Sequence, residues 1–172
     1  AVVGYAEGDV VLNNVDVVNA TVTGVKSSGM LVGHLSGSLK ATNCDISGTV
    51  TLADFAEETA GHYAGKYVGT LAGAAELTNC TANVTVSGNL NAANSGDVYG
   101  RATAAGSIKI NGVAYVAPTK VSDAASLSDA LANGKDAVLT GDVETESATT
   151  APYGNKYAFK QDGGVLDGNG YE

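Results

Sequence analysis

Residues 28–44 read SGMLVGHLSGSLKATNC, and residues 64–80 read AGKYVGTLAGAAELTNC. Both follow one pattern, small-G-x-h-V-G-x-L-x-G-x-x-x-x-T-N-C, and Gly33 to Cys44 matches Gly69 to Cys80 without a gap. Self-similarity at a period of about 30 residues marks a stacked-repeat architecture. A looser copy opens the chain, where Gly4, Gly8, Asn14 and Val15 match Gly33, Gly37, Asn43 and Cys44. A fourth, SGDVYGRATAAGSIKINGV at 95–113, aligns Gly96, Gly100 and Asn111 once small length changes are allowed. The starts at Gly4, Gly33, Gly69 and Gly100 lie 29, 36 and 31 residues apart.

Each copy continues into a stretch of strand-forming residues: VDVVNATVTG at 15–24, CDISGTVTL at 44–52 and CTANVTVSG at 80–88. Val, Thr and Ile in near alternation are strand chemistry. A unit of this length holds about three short strands with turns between them, one coil of a β-helix. The expected fold is therefore all-β, a parallel β-solenoid of about four coils over residues 1–116, with one short helix near 126–133. Recurrent Gly is expected at coil corners, where its backbone freedom lets each coil turn alike. Asn14, Asn43, Asn79 and Asn111 are expected to stack at a shared turn and bond along the solenoid axis.

Cys44 and Cys80 occupy one repeat position, filled elsewhere by Val15 and Val113. Replacement by Val argues for an inward site, so two buried thiols in a ladder are expected ahead of a disulfide or a metal site. Leu39, Leu77, Val32 and Val68 complete the expected core.

Composition agrees with flat, repetitive packing. Hydrophobic residues make up 44% of the 172, but aromatics only 6%, with no Trp and 23 Gly. The net charge is −9 and Arg101 is the only Arg. Nucleic-acid binding leans on basic patches, and anionic membranes repel such a chain. No apolar run approaches the roughly 18 residues that read as a membrane span, so insertion is not expected.

Character changes near Pro118. In VSDAASLSDALANGKDAVLTGDV at 121–143, Ser126 with Asp129 reads as a helix cap and Asn133-Gly134 as its stop. Ala137-Val138-Leu139 then reads as a strand, with Gly141-Asp142 as its turn. Segment 144–164 is weakly patterned and reads as a loop plus one or two strands; Tyr157, Phe159 and the following Val165 are candidates for packing on the solenoid.

The Gly-rich motif followed by T-N-C resembles the GLUG-type (Gly-Leu-any-Gly) repeats of large bacterial surface proteins. Leu31-Val32-Gly33 and Tyr67-Val68-Gly69 carry the resemblance, with Val3-Gly4 and Tyr99-Gly100 as partial matches, over about residues 1–116. It implies a β-solenoid with a surface or adhesive role, and no catalytic residues. Residues 119–172 resemble the opening segment of pectin-lyase-like β-helix domains: a short helix, a strand, then Leu166-Asp167-Gly168-Asn169-Gly170. Further coils would follow in such relatives, so a fragment of a larger protein is expected, or a chain whose last strands complete a neighbour.

The remaining chemistry favours plain readings. His34 falls at a position matched by Tyr5, Thr70 and Arg101, a mixture that suggests an exposed side chain. His62 lies in a polar insertion with Glu57-Glu58, read as a solvated loop ahead of a weak cation site. Thr21, Thr49 and Thr85 align in a row of the kind some ice-binding proteins carry, but Asn83 and Ser87 interrupt it, and ordinary strand propensity accounts for it. Asn19, Asn79 and Asn83 begin glycosylation sequons of a sort common in such composition. Asp and Glu do not recur at one coil position, so no catalytic set, cofactor or metal is expected.

The functional expectation is a non-enzymatic extracellular or cell-surface scaffold and adhesion module. It would bind a glycan or host protein, or pack against other copies or neighbouring domains. Alternatives are a structural subunit of a phage fibre, virion or surface filament, and part of a polysaccharide-degrading β-helix enzyme. Fold alone does not choose among them.

Overall fold

The computed structural model describes residues 1–53, 62–88, 97–144 and 163–170. Two compact units divide the chain, Ala1–Tyr115 and Val116–Glu172. In the first, the coils run β1 (Val3–Ala6), β2 (Asp9–Asn13), β3 (Val17–Gly24); β4 (Ser27–Gly29), β5 (Val32–Leu35), β6 (Ser38–Thr42), β7 (Asp45–Leu52); β8 (Tyr63–Gly65), β9 (Val68–Leu71), β10 (Ala74–Thr78), β11 (Thr81–Gly88); and β12 (Tyr99–Ala102), β13 (Ser107–Ile110), closed by β14 (Val113–Ala114). The architecture is a parallel β-solenoid of about four coils.

Equivalent strands of successive coils pair in parallel, giving long sheets β1-β5-β9-β12, β2-β6-β10-β13 and β3-β7-β11. Alternation decides which side chains point inward. In β6 and β10, Leu39, Ala41, Ala75 and Leu77 are buried while Lys40 and Glu76 between them are exposed. The pairing register then makes columns: Leu39 lies beside Val10 and Ala75, and Val68 beside Val32. Fully burying a Leu or Val stabilises by about 1.5–3 kcal/mol. Many modest columns of this kind, rather than large aromatic anchors, hold the stack.

Four features differ from the sequence expectation. The second and third coils contain a fourth strand, β4 and β8, which pair with each other. Gly4, Gly33, Gly69 and Gly100 lie within strands β1, β5, β9 and β12 rather than at corners; Gly8, Gly37 and Gly73 do sit at the bends between strands. Val113 is not core but 71% exposed. The reason is Asn111-Gly112: both residues have positive φ, 50° and 81°, and Ile110 pairs with Val113 across them in antiparallel sense. Two positive-φ residues between strands whose ends pair are a type I′ hairpin, so the chain reverses instead of continuing the coil. Val15 and Cys80 are half-buried, whereas Cys44 is fully buried.

The second unit holds β15 (Thr119–Val121), α1 (Ala124–Ala132), β16 (Ala137–Leu139) and β17 (Leu166–Asp167), with the strands parallel in the order β15-β16-β17. Its core is Val121, Leu127, Ala130, Leu131, Ala137 and Leu139. The cap of α1 is Asp123, not Ser126: its carboxylate accepts the Ser126 backbone N–H at 2.8 Å, which holds that carboxyl below its ordinary pKa. The stop is as expected. Gly134 takes φ 62°, and Lys135 and Gly134 N–H donate to Ala130 and Leu131 carbonyls in a Schellman pattern. Asn169 and Gly170 have positive φ, so the Leu166–Gly170 stretch turns. Val165 is exposed; Tyr157 and Phe159 fall outside the described residues.

Candidate binding face

The glycines of the repeat set the position of everything on the solenoid surface. A Cβ on Gly69 would sit 2.3 Å from the Ser28 backbone N and 2.5 Å from the Gly33 carbonyl; one on Gly100 would sit 2.5 Å from Ala64 N and 2.6 Å from the Gly69 carbonyl. A Cβ on Gly29 would meet Gly69 N at 2.7 Å, and one on Gly65 would meet Gly100 N at 2.4 Å. The small-Gly pair of one coil therefore docks, backbone to backbone, on the strand glycine of the next coil. No other residue type allows that approach. Gly96 lies outside the described residues.

The asparagines form the second ladder. Asn14, Asn43 and Asn79 all adopt left-handed φ of 51–53°. Asn43 Nδ2 donates to Asn14 Oδ1 at 3.2 Å, and Asn79 Nδ2 to Asn43 Oδ1 at 3.4 Å. Asn111 joins differently. Ile110 pairs with Leu77, which puts Asn111 one step early, and its Oδ1 accepts the Asn79 backbone N–H at 2.8 Å.

Cys44 and Cys80 sit in adjacent coils as free thiols, each donating to the carbonyl two residues before it, Thr42 and Thr78, at 3.4 Å. Tyr67, 6% exposed, lies close enough to feel them. Burial, then the charges of Cys80, Asp45 and Cys44, push its phenol up to about 12. Burial also raises the Cys80 thiol. In both cases folding favours the protonated form. The Tyr67 contribution is complete below pH 10, its ordinary value, and is lost as pH rises towards 12. Urea midpoints measured from pH 8 to 12 should therefore fall steeply above pH 10, and Tyr67→Phe should flatten that fall. An unchanged slope in the variant would remove Tyr67 from the account.

On the outside, the sheet of β1, β5, β9 and β12 carries a mixed column. Tyr5 pairs with His34, His34 with Thr70, and Thr70 with Arg101, the alignment read from the sequence. Tyr5, 57% exposed, packs its ring 5.0 Å from His34. Its hydroxyl donates to Glu7 Oε1 at 3.1 Å, and His34 Nε2 meets Ser36 Oγ at 3.1 Å. At the far end, the Arg101 guanidinium lies 4.9 Å from the Tyr63 ring centroid and donates to its hydroxyl at 2.9 Å. Thr70, between these pairs, is buried, unlike its column neighbours. Ser27 of β4 covers it, donating to Thr70 Oγ1 at 2.8 Å. The Tyr63 partnership of Arg101 has no sequence signature, because Tyr63 belongs to the unforeseen strand β8.

A second face carries the threonines. Thr21, Thr49 and Thr85 align in register, and so do Thr23, Thr51 and Ser87, with Thr51 and Ser87 hydroxyls 3.2 Å apart. Asn19 has φ 51° at an irregularity in β3 and donates its N–H to Ser47 Oγ at 3.0 Å. His62 donates from Nδ1 to the Val25 carbonyl; Glu57 and Glu58 lie outside the described residues. Among the described residues, no three His, Cys, Asp or Glu side chains converge as a metal ion would require.

Comparison with protein-family models, curated proteins and solved structures finds no match for this chain.

Proposed function

We propose that this chain is a non-enzymatic scaffold and adhesion module of a bacterial surface, and that the Tyr5–His34 and Arg101–Tyr63 pairs form its glycan-binding strip. One observation carries the reading: two aromatic-polar platforms, Tyr5–His34 and Arg101 with Tyr63 of β8, are anchored on one strand column, separated by two coil steps from His34 to Arg101. At about 4.8 Å per coil, they stand about 10 Å apart. Aromatic faces accept the apolar side of a sugar ring, while Arg, His and hydroxyl groups bond its rim. Two such platforms on a rigid ladder suit an oligosaccharide better than a single small molecule. The likeness of the repeat to GLUG-type surface proteins supports the same reading.

A glycan array probed with the intact chain tests it. Retention of a defined oligosaccharide class is expected, weakened about tenfold by Tyr5→Ala and by Arg101→Ala. Retention unchanged in both variants, or none on the array, rejects the strip. The unbroken parallel pairing of all four coils also suits a structural subunit; obligate trimers or polymers in sedimentation, with no glycan retained, would select that reading.

A further inference from the structure

The corner that follows Asn43 and Asn79 brings two sulfurs together. Thr42 pairs with Thr78 on one side of it and Asp45 with Thr81 on the other, so Cys44 and Cys80 face each other across adjacent coils. The Thr81 N–H donates to the Cys44 carbonyl at 3.0 Å, which ties the two backbones at that point. Neighbouring parallel strands stand about 4.8 Å apart. A disulfide asks for Cα atoms about 4.4–6.8 Å apart, so the stack already holds this pair at bridging distance. Both thiols are free, and Cys80 lies within hydrogen-bonding reach of Cys44.

The two sulfurs differ in access. Cys44 is 0% exposed, whereas Cys80 is half-buried. The hairpin at Asn111-Gly112 accounts for the difference. Val113, which the repeat would stack on Cys80, is turned back by that hairpin and lies 71% exposed. Cys80 is thus the sulfur that a small reagent reaches, and Cys44 waits beneath it. Among the described residues no third His, Cys, Asp or Glu joins the pair, as a metal ion would require. The chemistry left to two adjacent thiols is exchange with a disulfide.

We propose that Cys44 and Cys80 form a modification site, entered at Cys80 by a low-molecular-weight disulfide and closed as a covalent clasp between the second and third coils. The Cys80 thiolate attacks one sulfur of the reagent and expels the other as a thiol, leaving a mixed disulfide. The Cys44 thiolate then attacks Cys80 Sγ and expels the second thiol. One S–S bond breaks and one forms. Two electrons pass from the cysteines to the reagent, and their two protons end on the released thiols. Burial raises the Cys80 thiol, so its thiolate is scarce and the first step is slow. The second is intramolecular, between groups already in place. Closing the bridge restricts the unfolded chain, so the oxidised form should resist urea better than the reduced form.

The reduced intact chain, incubated with excess oxidised glutathione and read by mass after denaturation, tests this. A loss of two hydrogens with no glutathione retained is expected, together with a linked Cys44–Cys80 peptide after digestion. The urea midpoint should rise on oxidation and return with dithiothreitol. Cys44→Val should stop at one glutathione adduct on Cys80, and Cys80→Val should gain none. Val fills the same repeat position at Val15, so both variants keep an apolar side chain there. If either variant unfolds, the mass and urea readings of the unaltered chain decide. Two thiols still free, an adduct that never resolves, a chain-to-chain dimer, modification of Cys44 in Cys80→Val, or a bridge that lowers the midpoint overturns the proposal.

Discussion

Gly69→Ala is expected to cost the chain a large share of its stability, about 4 kcal/mol or more, while Gly4→Ala, the same substitution at the same repeat position, costs none. The two glycines differ in what lies above them. A methyl on Gly69 would fall 2.3 Å from the Ser28 backbone N and 2.5 Å from the Gly33 carbonyl. Neither is the end of a flexible side chain; both are backbone atoms fixed by parallel pairing. Relief means moving β4 away from β9, which breaks the Ser27–Thr70 hydrogen bond and strains the β4–β8 pairing. Overpacking usually costs 1–3 kcal/mol when side chains can yield; with backbone on two sides, about 4 kcal/mol or more is expected. That is a large share of the 5–15 kcal/mol that holds an ordinary domain. At Gly4 nothing lies within 4 Å, and φ is not in the left-handed region. Removing Gly there restricts the unfolded chain, which stabilises by about 0.4–1 kcal/mol. Urea unfolding followed by far-UV circular dichroism measures both. Equal stability of the two variants would mean the backbone docking of β4 on β9 is not what the glycine serves.

The parts of this fold that could be read from the chain are those where repetition forces like residues to meet. Gly33 to Cys44 and Gly69 to Cys80 keep one spacing, and the structure pairs Ser38–Thr42 with Ala74–Thr78 residue for residue. The Tyr5, His34, Thr70, Arg101 column follows from the same alignment. Strand β4 could not be read, because Ser27–Gly29 is three residues long and has no alternation. Its place depends on how closely two backbones approach, a tertiary fact that Gly29 and Gly69 only permit. Burial of Thr70 follows from that missed strand and had no signal of its own. Asn111-Gly112 carries two conflicting signals: the repeat alignment makes Asn111 a fourth ladder position and Val113 a core residue, whereas the dipeptide itself favours the hairpin turn that the chain adopts.

The asparagine ladder offers a substitution series that separates backbone from side chain. Asn43 holds φ 51°, accepts from Asn79 Nδ2 and donates to Asn14 Oδ1. Asn43→Ala removes both amide contacts and places a Cβ-bearing residue without local compensation in the left-handed region. The backbone term costs about 1–2 kcal/mol. Each lost hydrogen bond adds about 0.5–1.5 kcal/mol, at the lower end here because these side chains are exposed. A total of about 2–3 kcal/mol is expected. Asn43→Gly loses the same two contacts but accepts positive φ freely, so about 1 kcal/mol remains. Asn43→Asp still accepts from Asn79 yet cannot donate to Asn14, and should fall between them. Stability in a stacked array is carried by nearest-neighbour interfaces, so the cost at Asn43, with a neighbour on each side, should exceed that of Asn14→Ala, which has one. Urea midpoints at constant slope give the ranking. If Ala and Gly at position 43 prove equally costly, the left-handed turn contributes nothing to the choice of Asn, and the amide contacts alone must explain why it recurs in each coil.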